Sequence, residues 1–222
     1  MSEVEAWVLA VHRPGYRSDG SLDVNGDDVD VMIRTIGHGT LSGDDFAALV
    51  VGAGLVEVVD VRSFPGSRRN PQFGTEHMAR WLPDAGVAYC WMRDLGGRRK
   101  PVPGSKHVAL RHPSFRSYAD YMETEPFLAA VDDLVARGDG RAVMCSETVW
   151  WRCHRRLLAD YLVLVRGVEV LHLMHDGRDM AHKPTEGVRL DGDRLIYDVG
   201  ATPPLPQTGD PVENDGGHTP RD

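Results

Sequence analysis

Val31-Met32-Ile33-Arg34-Thr35-Ile36 and Val56-Glu57-Val58-Val59-Asp60-Val61 are short apolar runs rich in β-branched residues, and the segment between them decides the fold. Gly37-His38-Gly39 ends the first run, and Ser42 then stands where a helix N-cap is wanted. Phe46, Leu49, Val50 and Ala53 recur at helical spacing before Gly54 closes the segment. Strand, helix and strand in immediate succession predict two parallel strands joined by a crossover helix. The alternation continues downstream. A helix is expected near Thr75–Pro83 and a strand at Val87-Ala88-Tyr89-Cys90-Trp91. A long loop through Gly96-Gly97 leads to a helical stretch from Ser114, broken at Pro126, which suits the first turn of a new helix. Ala142-Val143-Met144-Cys145 reads as a fourth strand and Val168-Glu169-Val170-Leu171-His172-Leu173 as a fifth. Between them, Leu157, Leu158, Tyr161, Leu162 and Val165 share one helical face. Asp191-Gly192-Asp193, flanked by Val188-Arg189-Leu190 and Arg194-Leu195-Ile196-Tyr197, is a hairpin signal.

The expected fold is therefore an α/β domain with an open, mainly parallel sheet of about five strands, helices on both faces, and a C-terminal hairpin. The domain is placed at residues 31–200, after an N-terminal extension over 1–30 and before a proline-rich, disordered tail over 201–222.

Composition narrows the function classes. The chain has 222 residues and 41% hydrophobic content, enough for one core. No run approaches the roughly 18 apolar residues of a membrane span. Met1-Ser2-Glu3-Val4-Glu5 lacks the basic start of a secretory signal, and the three cysteines, Cys90, Cys145 and Cys153, are too few for a disulfide framework. A cytoplasmic location is expected, with no membrane partner. The net charge of −8 argues against general nucleic-acid coating, yet Arg62–Arg111 holds ten cations against Glu76, Asp84 and Asp94. Such a segment either focuses an anion locally or forms a solvated loop with long side chains.

In open α/β sheets, ligands lie outside the carboxyl ends of the strands. That rule gives meaning to the residues just beyond each predicted strand. His38 comes after the first; Asp60, Arg62 and Ser63, with Arg68 and Arg69, come after the second; Arg98 and Arg99 lie after the third. Cys145 and Glu147, then Trp150, Trp151, Arg152, Cys153, His154 and Arg155, come after the fourth, and His172 and His175 end the fifth. Five independent junctions converge on one edge.

The same segments carry a resemblance. Thr35-Ile36-Gly37-His38-Gly39, Asp60-Val61-Arg62-Ser63, Pro71-Gln72-Phe73, Leu95-Gly96-Gly97-Arg98-Arg99, Tyr118-Ala119-Asp120-Tyr121-Met122, Met144-Cys145-Ser146-Glu147 and Trp151-Arg152-Cys153-His154-Arg155 resemble the blocks of a bacterial family, domain of unknown function 488. The resemblance spans residues 34–175 in order. It implies a compact α/β fold with a shared pocket and supplies no reaction.

The candidate catalytic residues are Cys145, Glu147 and His154. Cys145 ends a strand and faces a helix N-terminus, where exposed amides with Arg152 or Arg155 favour a thiolate. Glu147, two residues on, opposes that charge, and a buried cysteine is often only a small hydrophobe. Glu147 and Arg62 are expected to end neighbouring strands, as a salt bridge, as a proton-transfer group with its modulator, or both. Cys145, Glu147, Cys153 and His154 also have the donor types of a zinc site, but adjacent residues on a helix diverge by about 100°. No metal and no cofactor are therefore expected. The candidate ligand-binding set is His38, Asp60, Arg62, Ser63, Arg68, Arg69, Phe73, Arg98, Trp151, Arg152 and Arg155, the arginines for phosphate or carboxylate oxygens and Trp151 for stacking. Tyr118 and Tyr121 read as packing residues.

Three functions fit: an enzyme acting on a nucleotide, nucleic-acid fragment or similar anion; a rhodanese-like sulfur transferase using Cys145; and a non-catalytic module that binds an anion or nucleic acid. The first is favoured because arginines and potential catalytic side chains share the predicted pocket.

Overall fold

The structure, a computed structural model, describes residues 31–66 and 68–201. The extension expected over 1–30 and all but the first residue of the tail expected over 201–222 lie outside the described residues.

Six strands form one sheet: β1 (Met32–Gly37), β2 (Glu57–Asp60), β3 (Ala88–Trp91), β4 (Arg141–Cys145), β5 (Glu169–Leu173) and β6 (Asp179–Ala181). Their order is β3-β2-β4-β1-β5-β6, and the first five are parallel. The sixth pairs antiparallel with β5 at the edge, with His172 opposite Met180. The sequence pattern does not reveal that strand, for a physical reason. All three of its residues are exposed, so no alternation marks it.

The helices are α1 (Gly43–Gly52), α2 (Thr75–Asp84), α3 (Pro113–Tyr121), α4 (Glu125–Ala136) and α5 (Arg155–Leu164). Ser42 caps α1 as its position predicts: its Oγ accepts from the Asp45 amide at 3.0 Å. Pro126 lies in the first turn of α4, where its missing N–H has no helical partner to lose.

The strands' two-residue period divides the core. Val58, Ala142, Met144 and Ile36 pack with Phe46 and Val50 of α1 and Met78 and Leu82 of α2. On the opposite face, Ile33, Val59 and Val143 pack with residues of α3, α4 and α5, including Tyr118, Phe127, Val131 and Leu157. The hairpin β7 (Val188–Asp191) with β8 (Arg194–Tyr197) forms a separate two-stranded sheet and adds Leu195 and Tyr197 to that second core.

Candidate functional site

From β1 the chain runs through α1 to β2 on one side; from β4 it runs through α5 to β5 on the other. Because α1 and α5 cover opposite faces, the loops leaving β1 and β4 part from one another, and such a switch point opens a crevice. A cleft of about 560 Å³ lies there. Its lining comes from four strand ends: His38 and Gly39; Arg62, Ser63 and Phe64; Gly97 and Arg98; and Cys145, Ser146, Glu147, Arg152, Cys153 and His154, with Phe115 of α3.

One wall is fixed by a buried ion pair. Asp60 is fully buried and accepts from Arg62 Nε at 2.8 Å, Arg62 Nη2 at 2.5 Å and the Arg62 amide at 3.0 Å. Tyr89 donates its hydroxyl to Asp60 Oδ2 at 2.7 Å. Burial works against the Arg62 cation, but the Asp60 carboxylate outweighs it and the guanidinium stays firmly protonated. Arg62 also donates to the Phe73 carbonyl at 2.6 Å and lies 3.2 Å from His38 Nε2. Burial, and then the Arg62 charge, lower the His38 pKa to about 4. The ring is therefore neutral at pH 7, with Nε2 accepting from Arg62 and Nδ1–H donating to the Gly39 carbonyl at 2.9 Å. It stacks on Phe73 with centroids 4.1 Å apart.

At the cleft floor, Cys145, Cys153 and His154 converge, all their donor atoms lying within 4.8 Å of one another. His154 Nδ1 is 3.9 Å from Cys145 Sγ and 3.5 Å from Cys153 Sγ. The expected divergence of adjacent Cys153 and His154 is overturned by their local backbone. Cys153 is extended (φ −119°, ψ 154°) and only His154 turns into the helix (φ −59°, ψ −19°), so the helical rotation does not apply between them. His154 is seated edge-on against Tyr118. A side chain at Gly97 would lie 2.5 Å from the imidazole, so Gly97 lets the neighbouring loop close over the ring.

The two thiols differ. The Cys145 thiol is pushed up to about 12, first by the neighbouring Cys153 thiol and then by burial. For Cys153, burial opposes ionisation, but the neighbouring Cys145 thiol, the Arg155 charge and the Arg155 amide outweigh it and lower the pKa. Of the two arginines expected to act on Cys145, Arg155 lies by the Cys153 sulfur and Arg152 is exposed.

Beneath the floor runs a buried chain of hydrogen bonds. Arg155 Nη1 lies 3.5 Å from Thr35 Oγ1, which is 2.7 Å from His172 Nδ1. His172 Nε2 is 3.0 Å from His182 Nδ1, and His182 Nε2 is 2.9 Å from Asp160 Oδ1. A proton order running from Arg155 through Thr35, His172 and His182 to the Asp160 carboxylate satisfies each of these contacts in turn. Tyr197 of the hairpin donates to Asp160 Oδ2 at 2.9 Å. Trp150 stacks on His172 at 3.9 Å. Burial, then His182 and Arg155, lower the His172 pKa to about 3.

The expected residues therefore separate into groups. Cys145, Glu147, His154, His38, Arg62, Ser63, Arg98 and Arg152 meet at the cleft. Asp60, Phe73 and Arg155 are buried behind it, acting on Arg62, His38 and the Glu147 carbonyl, to which Arg155 donates. Arg68, Arg69 and Trp151 are exposed and do not line it. Arg99 turns away, 3.4 Å over the Tyr121 ring. The salt bridge expected between Arg62 and Glu147 does not form, although β2 and β4 are neighbours, because Asp60 on Arg62's own strand end captures the guanidinium. Phe64 and Phe115, and not Trp151, are the aromatic residues that line the cleft. Thr35, Asp160, His182 and Tyr197 carry no sequence signal of their meeting: each lies in a different segment, with no local spacing to join them.

A model of the family described as Domain of unknown function DUF488 matches residues 43–162. That span holds Asp60, Arg62, Gly97, Cys145, Glu147, Cys153 and His154. No curated protein and no solved structure matches the chain. Among the described residues, no helix is long and apolar enough to cross a membrane.

Proposed function

The chain belongs to the DUF488 family, and we propose that its cleft binds a phosphorylated or otherwise anionic ligand, a nucleotide or nucleic-acid fragment, as the substrate of an enzyme. One observation carries this reading: Arg98 and Arg152 are exposed on the cleft wall, and neither guanidinium has a carboxylate partner among the described residues. Arginine forks match phosphate oxygens, and two unneutralised cations beside a pocket form an anion site. Phe64 and Phe115 offer apolar faces in the same cleft, which favours a ligand with a flat base over a bare phosphate. Glu147, Cys145 and His154 stand at the same cavity as candidates for the chemistry. Sulfur transfer through Cys145 is the weaker reading, since that thiol is buried at the cleft floor.

The test is calorimetric titration with inorganic phosphate, pyrophosphate and the common nucleoside mono- and diphosphates at low salt. A nucleotide should bind more tightly than phosphate. The Arg98→Ala/Arg152→Ala variant should weaken it at least tenfold, as the loss of one charge-assisted hydrogen bond of about 1.5–3 kcal/mol requires. Equal binding to both proteins would refute the reading. Turnover of the bound ligand then separates an enzyme from a non-catalytic binding module.

A further inference from the structure

We propose that Cys145, Cys153 and His154 form a three-ligand site for a zinc-class divalent cation, with its fourth coordination position open to the cleft. The argument begins with distances. Tetrahedral zinc holds thiolate sulfur at about 2.3 Å and imidazole nitrogen at about 2.0–2.1 Å, which sets neighbouring donor atoms about 3.5–3.8 Å apart. The two sulfur–nitrogen distances here are 3.5 and 3.9 Å, and all three donors lie within 4.8 Å. Shifts of a few tenths of an ångström at the nitrogen, and at most about 1 Å between the sulfurs, close the shell.

The donor chemistry agrees. Two thiolates balance the charge of a divalent cation, and soft sulfur with imidazole selects zinc over magnesium or calcium. Cysteines that served only as small hydrophobes would need no imidazole nitrogen facing both sulfurs. His154 Nδ1 does face both, while its buried Nε2 has no partner among the described residues.

The scaffold holds the three donors without metal. Cys145 ends β4, Cys153 occupies the extended turn before α5, and His154 lies between the Tyr118 edge and Gly97. All three donor residues line the cleft beside Glu147. Three protein ligands with one open position is the arrangement of catalytic zinc sites, whereas structural sites close all four. This inference goes beyond the ligand reading and stands without it, because metal loading is measured with no organic ligand added.

The experiment is cobalt titration of the full chain after chelator treatment under reducing conditions. Binding of one cobalt per chain should produce thiolate-to-cobalt charge-transfer absorption in the near ultraviolet and intense visible bands of four-coordinate cobalt. Zinc should then bleach both. Cys145→Ser, Cys153→Ser and His154→Ala should each weaken binding at least tenfold, while Cys90→Ser leaves it unchanged. A second measurement avoids variants that fail to fold. In the unaltered chain, zinc should slow alkylation of Cys145 and Cys153, read by peptide mass spectrometry, and leave Cys90 unaffected. Absence of the charge-transfer band, its survival in the Cys145→Ser/Cys153→Ser protein, or equal alkylation with and without zinc would each overturn the proposal.

Discussion

Replacing Asp60 by Asn tests whether the Arg62 wall depends on charge. The side chains are nearly the same size, so the perturbation is electrostatic. Asp60 is fully buried and accepts four hydrogen bonds, three from Arg62 and one from Tyr89. An amide has one oxygen where the carboxylate has two, so at least one of these donors meets an N–H₂ group. The buried guanidinium of Arg62 also loses its counter-charge. Breaking a buried ion pair by removing one partner costs about 3–5 kcal/mol. That is a large part of the about 5–15 kcal/mol that holds a typical domain together. At about 2–4 °C per kcal/mol for a chain of this size, the melting temperature should fall by about 6–20 °C. Urea unfolding should show a lower midpoint with an unchanged slope. The double variant Asp60→Leu/Arg62→Met removes both charges and should recover only part of the loss, since it leaves no buried unpaired charge but takes a partner from the Tyr89 hydroxyl, the Phe73 carbonyl and His38 Nε2. A loss below about 1 kcal/mol in Asp60→Asn would refute the argument, because a net contribution that small belongs to an exposed pair.

The geometry sets three further outcomes. His172 is neutral when folded, with a pKa near 3 against 6.5 when unfolded, so its contribution is fully present above pH 6.5 and is lost as pH falls towards the folded value. The slope approaches about 1.4 kcal/mol per pH unit, and urea melts between pH 6.5 and 5 should be flatter by about 2 kcal/mol in His172→Asn than in the parent. Gly37→Ala would place a methyl 1.8 Å from the Glu147 carbonyl oxygen, which is backbone and cannot swing aside; a loss of about 1–3 kcal/mol is expected on thermal unfolding. Tyr197→Phe removes the hydroxyl donated to Asp160 and should cost about 1.5–3 kcal/mol in urea unfolding, a larger loss than Tyr121→Phe, whose hydroxyl has no hydrogen-bond partner among the described residues.

The alternation of β-branched runs with amphipathic segments determined the parallel sheet, its two covered faces and the edge on which polar residues gather. Periodicity is local, and each strand or helix carries its own copy of it. Ser42 and Pro126 were legible for the same reason, since a cap and a first-turn proline act within one turn. The edge strand β6 was not legible, because its exposed residues carry no pattern. Tertiary structure alone decided the pairings. Arg62 chose Asp60 over Glu147 because the nearer carboxylate is fully buried, and ion pairs depend on distance and dielectric, neither of which is written in sequence order. The convergence of Cys153 with His154 depended on one extended residue before a helix. Thr35, His172, His182, Asp160 and Tyr197 meet only because β1, β5, α5 and the hairpin pack together, so their shared hydrogen bonds exist only once the chain has folded.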